Sequence, residues 1–187
     1  MRVLKVAVGN SQESFIESRL SDGINIISSD DNNRGKTIVV QSMMYALGNE
    51  PSFPASFNYK DYYYYVEFEE GEHRYKICRS ANGFVLRSSN SCWLFENVSE
   101  LKRFWTAHIS NLPMIVKNNR NVIVDPVLFF QLFFIGQDKK DTSNIAHHGY
   151  YNKNDFVEML CGCCSECVGI SSSQEDIDSI KQRISSL

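Results

Sequence analysis

Gly35, Lys36 and Thr37 stand in the order that closes a phosphate-binding loop, inside the stretch SSDDNNRGKTIVVQSMMYALG (28–48). The full pattern, G-x-x-x-x-G-K-[ST] between a strand and a helix, wraps backbone amides around phosphate oxygens. Here the register runs Asp30, Asp31, Asn32, Asn33, Arg34, Gly35, Lys36, Thr37, with Asp30 in place of the first glycine. Gly35 lets the backbone come close to an anion. Lys36 neutralises β- and γ-phosphates, and Thr37 offers a hydroxyl to Mg²⁺. The first glycine usually takes a conformation that costs other residues ~1–2 kcal/mol, and Asp and Asn are the least penalised substitutes. Asp30 and Asp31 bring like charge toward an anion, which Arg34 offsets in part. The predicted ligand-binding set is Asp30, Asn32, Asn33, Arg34, Gly35, Lys36, Thr37 and Ile38. The plainer reading is a strand–turn–helix that contains Gly-Lys-Thr by chance.

Other candidate groups are less specific. CGCCSEC (161–167) holds Cys161, Cys163, Cys164 and Cys167, enough thiolates for tetrahedral zinc. Four cysteines within seven residues surround one ion poorly, so free thiols acting as small hydrophobes are the expectation there. His147 and His148 are adjacent and read as solvated loop residues. The basic pairs Lys102/Arg103, Lys117/Arg120 and Lys139/Lys140 read as solvated faces that together would form a patch. NVIVDP (121–126) imitates a strand ending in a metal-binding Asp125, but Pro126 stands where a water-orienting glutamate is required.

The elements that must position these groups follow from periodicity. VLKVAV (3–8) and INIIS (24–28) are strand-like, and KTIVVQSMMYALG reads as a helix apolar nearly all round, ended by Gly48. YYYYVEFEEGEHRYKICRS alternates, with Tyr62, Tyr64, Val66 and Phe68 on one face and Glu67 and Glu69 on the other. NGFVLRS and CWLFEN add two strands, with Asn82-Gly83 as a turn signal. The expectation is an antiparallel insertion over 62–96. A helix with Leu101, Phe104, Trp105 and His108 on one side follows at 99–109, and Trp93 and Trp105 read as core. The segment 125–141 is buried at its start, and NKNDFVEML reads as a helix. Ile177, Ile180, Ile184 and Leu187 have the spacing of a coiled-coil seam, started by Ser172 and Glu175. An amphipathic C-terminal helix packed on its own core is the alternative. The fold class is therefore mixed α/β, with residues 1–170 as one lobe and 171–187 as the start of an arm.

The 187 residues are 43% hydrophobic and 22% charged, ordinary for a globular domain. A net charge of −3 excludes a basic footprint over the whole chain. No apolar run approaches a membrane span, and the N-terminus lacks the pattern of a secretory leader. A cytoplasmic setting without a membrane partner is expected.

In order along the chain, these features resemble the N-terminal lobe of an SMC-type or RecN-like ABC ATPase head, a P-loop NTPase class that includes bacterial defence ATPases. GINIISSDDNNRGKT is similar to the family's G-x-N-x-x-x-G-x-N-x-x-G-K-[ST], with Asn32 at the loop asparagine. The β-rich insertion, FFIGQDK as a Q-loop, and the coiled-coil start complete the likeness. Gln137, 101 residues after Lys36, falls at the family's sensor glutamine. The resemblance implies ATP and Mg²⁺ as cofactors. It gives Lys36 and Gln137 catalytic roles, and makes Thr37 and Gln137 metal ligands. It implies as partners a C-terminal lobe of the same protein or a second head in a homodimer, together with DNA and accessory subunits. No L-S-G-G-Q-like stretch and no Asp-Glu strand end occurs in this sequence, so the implied site is a half-site that binds nucleotide and barely hydrolyses it. The other reading is a non-catalytic scaffold whose loop has lost its ligand. An N-K-x-D motif or arginine lid, which a small GTPase or kinase needs, is not found.

Overall fold

Alternation with period two in YYYYVEFEE must put Tyr64, Val66 and Phe68 on one side of a strand. The computed structural model, which describes residues 1–28, 30, 35–132 and 151–163, buries all three. They lie on β3 (Tyr63–Glu70) of a six-stranded antiparallel sheet. Its order is β2 (Ser14–Glu17), β1 (Arg2–Gly9), β3, β4 (His73–Ser80), β5 (Gly83–Arg87), β6 (Cys92–Phe95). Register aligns Val6, Val66, Ile77 and Leu86 in one buried row, and Val8, Tyr64, Arg79 and Phe84 in the next. The expected 62–96 insertion therefore shares its sheet with the N-terminal strand.

Two helices cover this inner face. α1 (Lys36–Ala46) packs on β1, β3 and β4. α2 (Val98–His108) seats Trp105 on Phe68, with ring centres 5.3 Å apart, and Phe104 on Trp93. Asn97 caps α2 by accepting from the Glu100 amide at 3.0 Å. A smaller core gathers Ile115, Val124, Leu128, Tyr151 and Met159. It lies between the hairpin β7 (Met114–Lys117) and β8 (Arg120–Ile123), α3 (Pro126–Phe129) and α4 (Lys153–Cys163).

The end of α1 is built around one buried cation. Gly48 donates to Tyr45 O at 3.1 Å and Asn49 to Met44 O at 3.0 Å, a Schellman turn with Gly48 at φ 95°. Arg79, 2% exposed, then satisfies what remains: its Nη1 donates to the carbonyls of Tyr45 and Asn49, each at 3.0 Å. Nε reaches Ala81 O at 3.1 Å, Nη2 pairs with Glu50, and the guanidinium lies 3.6 Å from the Tyr45 ring centre.

Several sequence expectations change. Residues 24–28 form no strand: β2, four residues too short to stand out in the sequence, occupies the free side of β1, and 24–28 has no ladder partner among the described residues. The β4–β5 turn is Ala81-Asn82, with Gly83 already paired to Ser80. Ala81 holds φ 51°, an unfavourable value for alanine, while its carbonyl accepts from both Arg79 and the Tyr45 hydroxyl. Lys102 and Lys117 are not on solvated faces; they pair with Asp125 and Asp155 and are largely buried. Tyr151 also donates to Asp125, so this aspartate is a structural acceptor. Cys161 and Cys163 are exposed at the end of α4. Cys164, Cys167, His147, His148, the lysine pair Lys139/Lys140 and the coiled-coil positions lie outside the described residues.

Arg79→Met keeps the apolar stem and deletes every bond of the guanidinium. The expected loss is about 3 kcal/mol of unfolding free energy, read as a lower urea midpoint, because buried carbonyls are left unpaired. Glu50→Gln, whose carboxylate is half exposed, is expected to cost under about 1 kcal/mol.

Candidate functional site

α1 begins at Lys36, and Gly35 enters it at φ 76°, ψ 11°. In this left-handed region glycine is strain-free. A Cβ on Gly35 would meet nothing within 4 Å, so the demand for glycine is conformational rather than steric. The first helical bond, Val39 N to Gly35 O, measures 3.2 Å. Amides ahead of it are those a helix cannot bond internally, and the macrodipole adds about half a positive charge at this end.

A cleft of about 680 Å³ opens here, within the usual volume range of small-molecule sites. Gly35 lines it just ahead of α1, Lys36 and Ile38 from α1, Phe15 and Glu17 from β2, and residues 25–28 from the segment between β2 and α1. Phe57 and Tyr62 complete an aromatic side. Thr37 sits half-buried in the first turn of α1. Asp30 is exposed and is not among the described residues that line the cleft. Asn32, Asn33, Arg34 and Gln137 lie outside the described residues.

Two residues that sequence reasoning passed over give the cleft its charge order. Glu17 is 8% exposed and faces inward beside Val6. Arg19 grips it with a fork, Nε to Oε1 at 2.9 Å and Nη2 to Oε2 at 2.7 Å, and its backbone amide adds a third bond at 2.8 Å. Hydrogen bonds from the Arg19 side chain, then from its amide, hold the Glu17 carboxyl down to about 2. The guanidinium itself is exposed at the mouth. Across the cleft the Tyr62 hydroxyl donates to Glu13, which lifts the Tyr62 phenol above its ordinary value. The signal was the Glu-x-Arg spacing in SFIESR, which reads as surface charge until β2 turns Glu17 inward.

Among the described residues no cluster of metal-ligating side chains is found, and no helix is long and apolar enough to cross a membrane. The arrangement offers an anion a helix N-terminus, a lysine and an arginine, and offers an aromatic group an apolar wall.

No protein-family model matches the chain. The chain is similar to the Lamassu protein LmuB of Bacillus cereus (strain VD014), 28% identical over 125 residues. That alignment covers 66% of this chain and 22% of the relative, so the chain spans about a fifth of the relative's length.

Because the Glu17 carboxyl is lowered in the fold, its contribution to stability is present above about pH 4.5 and is lost as pH falls through about 2. Glu17→Gln should therefore lower the urea midpoint at neutral pH, and the gap to wild type should close as pH drops through that window. A gap that stays constant with pH would show that the fork contributes only packing.

Proposed function

We propose that this chain is the ATP-binding N-terminal part of an SMC-like ABC ATPase head that works on DNA in anti-phage defence. The observation that carries the reading is Gly35, left-handed at the start of a buried helix, with Lys36 beside it in a cleft of nucleotide size. In this reading the α1 amides and Lys36 hold the phosphates, and Thr37 holds Mg²⁺. Phe15, Ile26 and Phe57 give the apolar surface that a base requires. Gln137 senses the γ-phosphate and couples its presence to head closure. The likeness to Lamassu protein LmuB supports the defence setting.

The unpaired segment 24–28 supports a partner lobe. Ile24 and Ile26 are 92% and 84% exposed on a backbone that pairs with no strand among the described residues. A strand from a C-terminal lobe, which would also bring the absent Asp-Glu and signature motifs, would cover both. ATP then joins this head to a second copy, with accessory subunits reading the change. The chain alone binds nucleotide and turns it over slowly, because its sequence has no Asp-Glu strand end to orient water.

Binding of MgATP to the purified chain, followed by calorimetry, tests the reading. Lys36→Ala should weaken it at least tenfold, the loss of one charge-assisted contact of about 1.5–3 kcal/mol. If wild type and Lys36→Ala alike fail to bind, the reading falls and a scaffold on a retired loop takes its place.

A further inference from the structure

The outer face of the six-stranded sheet, opposite α1 and α2, carries two parallel rows that the nucleotide cleft does not use. Register aligns Ile16, Ala7, Tyr65, Cys78, Val85 and Leu94 across all six strands. Three of these apolar side chains stand open, Ile16 at 61%, Val85 at 40% and Leu94 at 77%, and Tyr63 on the adjoining row is 60% exposed. Two residues further along the strands lies a charged row: Lys5, Glu67, Lys76 and Arg87, with Arg74 beside it. With Arg2 and Glu69, which share the row of Arg74, five cations stand there against two carboxylates. Arg74, Lys76 and Lys5 approach Glu67 at 2.8, 3.6 and 3.8 Å, and Arg87 is exposed at the end of the row. Burial works against the Glu67 carboxylate, but these cations keep it charged and below its ordinary value. On a chain of net charge −3, this is a local positive strip.

The strip and the apolar row are separated by two residues of strand, about 7 Å; the apolar row runs across six strands, about 24 Å, and the charged row across the four strands β1, β3, β4 and β5, about 14 Å. A partner must therefore present apolar faces and negative charges at a constant offset along its length. We propose that this face binds single-stranded DNA, with bases on Tyr63, Tyr65, Val85 and Leu94 and the phosphate backbone on Lys5, Lys76 and Arg87. Sheet-based binders of single strands combine stacking side chains with a cationic track in this way, at about four nucleotides for the shortest sites. A duplex hides its base faces and leaves the apolar row unused. RNA would bring a 2′-hydroxyl to a row whose side chains are apolar apart from the Tyr65 phenol and the Cys78 thiol, which gives it no advantage over DNA.

Fluorescence anisotropy with a labelled oligodeoxythymidine of fifteen nucleotides, in the absence of ATP, separates this proposal from the nucleotide cleft. The expected dissociation constant lies in the range of roughly 1–100 µM at moderate salt, with a log–log salt slope near −2 for three phosphate contacts. Lys76→Glu with Arg87→Glu should weaken binding at least tenfold and flatten that slope. Leu94→Ser with Val85→Ser should weaken it severalfold at unchanged slope, and all four positions are exposed enough for the fold to persist, which a urea midpoint checks. Absent binding, binding indifferent to both pairs of variants, or equal affinity for a duplex would each overturn the proposal. Tighter binding of oligouridine would reassign the face to RNA. An alternating glutamate–leucine peptide that binds as tightly, with the same sensitivity to the variants, would reassign it to an acidic protein partner.

Discussion

The guanidinium of Arg79 fixes where α1 lies, and the rest of the site follows from that. A cation buried to this extent is tolerated only when its donors are used, and here three backbone carbonyls and a carboxylate take four of the five N–H groups while an aromatic ring lies against the guanidinium face. Because the carbonyls belong to the C-terminal turn of α1, the arginine places a positive charge at the negative end of the helix dipole. The same residue sits in a register row of β4, so one side chain joins sheet to helix. Tyr45 is held between that cation and the rings of Phe53, Tyr59 and Tyr64, which prevents the helix from rolling. With the far end pinned, the near end of α1 has one place to emerge, in front of β2 and beside residues 25–28.

A sheet fixed in this way has two faces with different chemistry. The inner face spends its side chains on packing: Val6, Val66, Ile77 and Leu86 make one layer, and Trp105 stacks on Phe68. The outer face stays open, and its one nearly buried carboxylate, Glu67, persists because three cations surround it. Replacing any of those cations changes the others through the shared carboxylate, so the strip behaves as a unit rather than as separate ion pairs.

Legibility in the sequence tracked the range of the forces involved. α1, its Gly48 terminus and the strands from Tyr63 to Phe95 were readable because period, capping and turn chemistry are local. The start of α1 after Gly35 was readable for the same reason. β2 was not, since four residues become a strand only through pairing with β1, which is tertiary. Residues 24–28 failed in the opposite sense: their composition is that of a strand, but a strand is a relation between two segments. The turn after Ser80 shifted by one residue because long-range bonds from Arg79 and Tyr45 hold Ala81 in a conformation its type disfavours. The Glu17–Arg19 fork was invisible because the inward turn of Glu17 depends on the β1–β2 register.

That fork bears on the objection raised by the acidic residues around the loop. An anion entering the cleft meets carboxylates at Glu13 and Glu17, and unscreened they would repel it. Neither is unscreened. Glu17 is neutralised by a bidentate arginine and a backbone amide, and Glu13 accepts from Tyr62. Asp30, the residue that breaks the loop pattern, is exposed to water, where its field is damped by a high dielectric. In the proposed reading the acids therefore cost an incoming phosphate little, while the first turn of α1 and Lys36 would act on it at short range in a partly enclosed cleft. The balance of charge at this site is set by which carboxylates already have donors, rather than by how many carboxylates the sequence places nearby.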